Sequence, residues 1–180
     1  MKKFTVFLTA FVIMAALIAG CGANKADEFN DYFTKVSKNM ESLKRANEEY
    51  ARVAAAATKA DDLKGIDRKL ADGKTALQKV LADYKATEEP PELTKYKEAA
   101  INNFNKRMEQ YDLLQTIIGY INKGDTKNQK LYDSLNKLAA LEKEINDNDK
   151  SNAELLKKIA ADNKLTISTG DDKTLFKPIK

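Results

Sequence analysis

From Phe29 onward, apolar side chains recur in steps of four and three: Phe29, Phe33, Val36, Met40 and Leu43, then Asn47, then Tyr50, Ala54 and Ala57. That alternation fills the a and d positions of a heptad and predicts a long helix, ending near Ala60, with a coiled-coil-like seam. Asn47 places a polar group in the seam, where such residues set register at some cost in stability. Asp61-Asp62-Leu63-Lys64-Gly65 breaks the phase. A second run then takes over through Leu63, Ile66, Leu70, Gly73, Leu77, Val80, Leu81 and Tyr84, again at helical spacing. Pro90-Pro91 stops it, because the residue before a proline is pushed out of helical geometry.

Pro91 suits the first turn of a third helix, whose apolar positions are Leu93, Tyr96, Ala100, Phe104, Met108, Tyr111, Leu114, Ile118 and Ile121. Gly124 fits a helix C-terminal cap, and Thr126-Lys127-Asn128-Gln129 reads as a capping box opening the next helix. The fourth helix carries Leu131, Leu135, Leu138, Ile145, Leu156 and Ile159, but turns polar from Asn146 to Asn152. A second capping box, Ser151-Asn152-Ala153-Glu154, marks a place where the helix can break and restart. Beyond Asp162 the helical period is lost. Lys164 to Thr169 alternates like a strand, but with no evident partner it is expected to be part of an extended tail.

Four amphipathic segments with short connections predict an all-α fold, an up-and-down antiparallel bundle of about four helices. A three-helix form, in which the first two segments merge, is opposed by Gly65. In an even-numbered bundle of this kind the chain returns to the end where it began, so the tail is expected beside the start of the first helix. The domain plan is residues 1–20, 21–26 as a short tether, 27–162 as the bundle and 163–180 as the extended tail.

The first segment has the order of a secretory signal: positive Met1-Lys2-Lys3, an apolar run from Phe4 to Ile18, and small Ala19-Gly20 before Cys21. The apolar run falls short of the roughly twenty residues that span a hydrocarbon core. Ile18-Ala19-Gly20-Cys21 resembles the lipobox of bacterial lipoproteins, with isoleucine where leucine is commonest. The resemblance implies diacylglyceryl transfer to the Cys21 thiol and cleavage between Gly20 and Cys21. Two acyl chains suffice for stable attachment where one does not. The mature chain would hold no free thiol, since Cys21 is the only cysteine.

Removing residues 1–20 takes away Lys2 and Lys3 and no acid, so 31 basic residues fall to 29 against 27 acidic ones, a net +2. Nucleic-acid binders concentrate positive charge on one face, and no nucleic acid is expected here. Histidine and tryptophan are absent. That excludes the Glu-x-x-His ligands of di-iron bundles, the His-Glu-x-x-His zinc proteases and every nucleophile paired with histidine.

Several fragments imitate catalytic motifs. Gly73-Lys74-Thr75 ends like a phosphate-binding loop, but Arg68 stands where the first glycine belongs and no strand precedes it. Ser134-Leu135-Asn136-Lys137 matches Ser-x-x-Lys without the companion motifs. Asp147-Asn148-Asp149 begins like a calcium loop, but Asn152 and Lys158 stand where glycine and glutamate are needed, so a helix interruption or solvated turn is expected. Glu48-Glu49, Asp61-Asp62, Glu88-Glu89 and Asp171-Asp172 are adjacent in sequence and do not face each other on a helix. No catalytic residue, metal ligand or cofactor is expected.

The expected role is a lipid-anchored cell-envelope lipoprotein on the extracytoplasmic side of the cell membrane. It would be a non-enzymatic interaction or structural module whose partners are the membrane, through Cys21, and an envelope protein or wall polymer. Tyr32, Tyr50, Tyr84, Tyr96, Tyr111, Tyr120 and Tyr132, several of them on or beside the seams, are expected first as core or rim residues. The alternative is a small-ligand, glycan or peptide binder with a crevice lined by some of them, whose rings stack while their hydroxyls bond polar edges.

Overall fold

The structure, a computed structural model, describes residues 25–56, 65–168 and 174–179. Beyond Lys38, the only side chains of the first helix it describes are Lys44 and Glu48. Met40, Leu43, Asn47, Tyr50, Ala54 and Ala57 of the expected seam, together with Leu63, therefore lie outside the described side chains.

Four helices run in chain order, α1 (Lys25–Ala56), α2 (Ile66–Ala86), α3 (Thr94–Asn122) and α4 (Gln129–Asp162), followed by two short strands, β1 (Leu165–Ile167) and β2 (Phe176–Pro178). Each helix packs antiparallel on the next, so the all-α up-and-down bundle stands. α1 opens at Lys25, slightly before the expected start, with Asp27 and Glu28 in its first turn, where carboxylates complement the positive end of the helix dipole.

Local chemistry accounts for the helix ends. Pro90 is extended, and Pro91 begins a 3-10 turn over Pro91–Leu93 that runs directly into α3. α3 closes on Gly124 at φ +69°. There Gly124 N–H donates to Ile121 O at 2.9 Å and Asp125 N–H to Tyr120 O at 3.0 Å, the paired bonds of a Schellman cap that favours glycine. The cap of α4 is Asn128, whose side chain accepts from Lys130 N–H at 3.0 Å; the expected capping box at Thr126 is not used.

Two sequence expectations are corrected. α4 is continuous across residues 146–152, because its polar stretch meets polar side chains of α3 and has no need to break toward solvent. The segment read as an extended tail is extended, but not without a partner: β1 and β2 form an antiparallel ribbon pairing Leu165 with Pro178, Thr166 with Lys177 and Ile167 with Phe176.

The main core joins α1, α2, α3, the end of α4 through Ile159 and Ala160, and the ribbon. Phe29, Val36, Leu70, Leu93 and Phe176 are fully buried, with Leu77, Tyr84 and Phe104 nearly so. Every expected seam position of α2 from Ile66 to Tyr84 is buried. Gly73 sits where α2 meets α3: a Cβ there would lie 2.9 Å from the Tyr111 ring, so glycine lets that ring pack flush. A smaller cluster of Ile117, Leu131 and Leu138 joins the end of α3 to the start of α4. α1 and α4 are linked through the ribbon, β2 lying on α1 and β1 on α4.

Candidate functional site

The end of the bundle where α1 begins collects the start of α3, the end of α4 and the ribbon. Its centre is aromatic. The Phe29 ring meets Phe176 edge-on at 5.2 Å, Phe33 lies 5.3 Å from Phe176, and Tyr96 lies 5.6 Å from Phe33. Strand alternation turns Leu165, Ile167 and Phe176 inward, and Leu165 and Phe176 are buried.

Asn30 fastens the ribbon to α1. Its Nδ2 donates to Phe176 O at 3.0 Å and its Oδ1 accepts Phe176 N–H at 2.9 Å. Phe176 points these groups away from β1, since the ribbon's own bonds run through the neighbours, Ser168 N–H to Leu175 O and Ile179 N–H to Lys164 O. The amide of Asn30 thus takes the place of a third strand. Pro178, the next residue on that edge, has no N–H to offer, so the edge is closed to further pairing.

Lys97 holds the adjacent corner. Only 8% exposed, its Nζ donates to Lys85 O at 3.1 Å, to Thr87 O at 2.6 Å and to the Glu89 carboxylate at 2.6 Å. All three of its donors are engaged, and the cation sits at the negative end of the α2 dipole. This contact holds the Glu89 carboxyl below the usual carboxylate range. Lys25 does the same for Glu92 at 2.8 Å. Burial pushes the Tyr32 hydroxyl up to about 12 and raises Tyr84 and Tyr96 further. The Tyr32 and Tyr84 hydroxyls face each other without closing a hydrogen bond of normal geometry.

A second polar assembly lies between α3 and α4. Arg107 bonds Asp149 at 2.7 Å, Asn103 donates to the other Asp149 oxygen, and the Arg107 and Asp149 side chains are 13% and 14% exposed. Burial outweighs the attraction on both sides, raising the Asp149 carboxyl and lowering the Arg107 guanidinium. Asn103 Oδ1 and Asn148 Nδ2 are buried without a hydrogen-bond partner. Lys106 to Glu144 and Lys137 to Glu109, each at 2.6 Å, flank this seam.

These placements explain the imitation motifs. Gly73-Lys74-Thr75 is mid-helix, with Lys74 paired to Asp112. Ser134 donates to Lys130 O at 2.8 Å on the outside of α4. Asp149 belongs to the α3–α4 seam, in place of the expected solvated turn. Tyr32, Tyr84, Tyr96 and Tyr111 are core residues, Tyr120 is half-buried and Tyr132 is exposed. Tyr32 flanks the Phe29–Phe33 seam and is buried with it, its ring 5.2 Å from that of Phe33.

Gly20 and Cys21, the expected cleavage and lipidation residues, lie outside the described residues, as do Asp61-Asp62 and Asp171-Asp172. Among the described residues no group of three or more His, Cys, Asp or Glu side chains is placed to hold a metal ion, and no helix is long and apolar enough to cross a membrane. No family model matches the chain, and neither a curated protein nor a solved structure matches it.

Proposed function

We propose that the chain is a lipid-anchored bacterial cell-envelope lipoprotein on the extracytoplasmic side of the cell membrane. Its bundle acts as a non-enzymatic interaction or structural module. One observation carries the reading: Ile18-Ala19-Gly20-Cys21 follows a positive and then apolar leader, and Cys21 is the only cysteine in 180 residues. The chemistry of the bundle supports it. Lys97, Glu89, Arg107 and Asp149, the charged groups drawn inside, are bonded to one another or to helix ends, the use charges have when they fix helix positions.

Cys21→Ala is expected to leave the helical circular dichroism unchanged and to move the protein from the membrane fraction to the soluble one. Retention of that variant through high-salt and carbonate washes would overturn the reading. The module's partner is sought by cross-linking in intact cells. A reproducible envelope protein or wall polymer supports the role, and a lipidated protein that cross-links to neither does not.

A further inference from the structure

We infer that the outward face of the β1–β2 ribbon is the surface on which the anchored protein rests against lipid headgroups, so that the helices stand away from the bilayer. This rests on the lipoprotein reading above and adds an orientation to it.

The first argument is chain length. Four peptide units separate Cys21 from Lys25, where α1 begins, and they span at most about 14 Å. Asn30, in the second turn of α1, holds Phe176 by two bonds. The ribbon and the lipid attachment point are therefore at the same end of the molecule.

The second argument is the chemistry of the face. With Leu165, Ile167 and Phe176 turned inward, alternation leaves Lys164, Thr166, Lys177 and Ile179 on the other side; Ser168 and Leu175 share that parity but are half-buried, Leu175 packing against the core. Thr166 pairs with Lys177 across the ribbon, and Ile179 N–H donates to Lys164 O. Ile179 is 58% exposed, more than Tyr132 and Leu135, the other exposed large apolar side chains among the described residues. Those two lie near the start of α4, roughly 27 to 30 residues or about 40–45 Å along the helix from its ribbon end at Asp162. Among the described residues this face holds Lys164, exposed, and Lys177, half-buried, and its side chains include no carboxylate. An apolar side chain beside lysines suits a bilayer surface, where the apolar group enters the boundary and the lysine stems lie along it with their charges among anionic headgroups.

The absence of tryptophan provides a clean test. Lipidated full-length Ile179→Trp and Tyr132→Trp proteins are each incorporated into vesicles of phosphatidylcholine and phosphatidylglycerol with brominated acyl chains. Flotation scores attachment and circular dichroism scores folding. The expected result is that both proteins float, that indole emission from the Ile179→Trp protein moves to shorter wavelength and is largely quenched, and that emission from the Tyr132→Trp protein stays solvent-like. If both float and the Ile179→Trp protein also stays solvent-like, the ribbon faces away from lipid, toward water or a protein partner. If both are quenched alike, the bundle lies flat. Either result overturns this orientation while the lipoprotein reading stands. Failure of the lipidated proteins to float removes both.

Discussion

The ribbon end and the α3–α4 seam hold the same bundle together by opposite means. At the ribbon end, the Phe29 and Phe33 rings of α1 pack on Phe176 and Tyr96 of α3 packs on Phe33, while Asn30 and Lys97 satisfy backbone atoms. In the middle of the α3–α4 seam, charge is inside and meets charge. Apolar contact is strong and tolerant of small shifts, whereas a buried ion pair adds little net stability and penalises any register that separates it. The contrast teaches that the polar residues of α4 fix its register, while the apolar side chains buried along it, Leu141 and Ile145 in the middle and Ile159 and Ala160 at the ribbon end, retain it.

The largest break in this comparison is expected from Phe176→Ala. Emptying a site enclosed by Phe29 and Phe33 should cost about 4 kcal/mol and release the ribbon while α3–α4 amides stay protected, as hydrogen exchange would report. Asp149→Ala leaves Arg107 buried without its carboxylate and should cost about 3 kcal/mol in chemical denaturation. The double replacement Arg107→Leu with Asp149→Leu should return to within about 1 kcal/mol of the parent. A double variant as damaged as the single one would show that the pair is a true source of stability.

Acid sharpens the contrast. Glu89 and Glu92 have depressed pKa values, so their stabilisation is present above the ordinary carboxylate pKa of about 4 and is lost as pH falls through their folded values. Asp149, and Glu142 of α4 beside Gln110 of α3, are raised by burial; what they contribute is present below that pKa and lost as pH rises through their folded values. Acidification should therefore loosen the α2–α3 corner before the α3–α4 seam. Hydrogen exchange corrected for intrinsic rates checks the order, and the reverse order would contradict it. The smallest effect is a gain: Lys164 sits at φ 55° after α4, and Lys164→Gly should stabilise by about 0.5–1 kcal/mol, read as a rise in Tm.

The seams of α2 and α3 were legible because their apolar positions keep a helical period with no competing feature. The continuity of α4 was not. Asn146 to Asn152 reads as a break in one dimension, and only the facing Asn103 and Arg107 turn it into an interface. The ribbon was half legible: Leu165 to Ile167 alternates, but its partner Phe176-Lys177-Pro178 is three residues long and contains a proline, which argues against a strand. The expectation that the chain end returns beside the start of α1 held. Cys21 lies outside the described residues, and its expected role rests on local sequence alone.

The Asn30 clasp bears on the order of folding. Neighbouring helices meet across short connections, while Asn30 and Phe176 are 146 residues apart. Closing that loop from the unfolded chain costs about 2 kcal/mol more than closing one of roughly 20 residues. The cost shrinks once the helices have assembled and brought the two ends close together. Docking of Phe176 is then a late event that depends on every helix being in place, and an occupied clasp certifies that the bundle is complete.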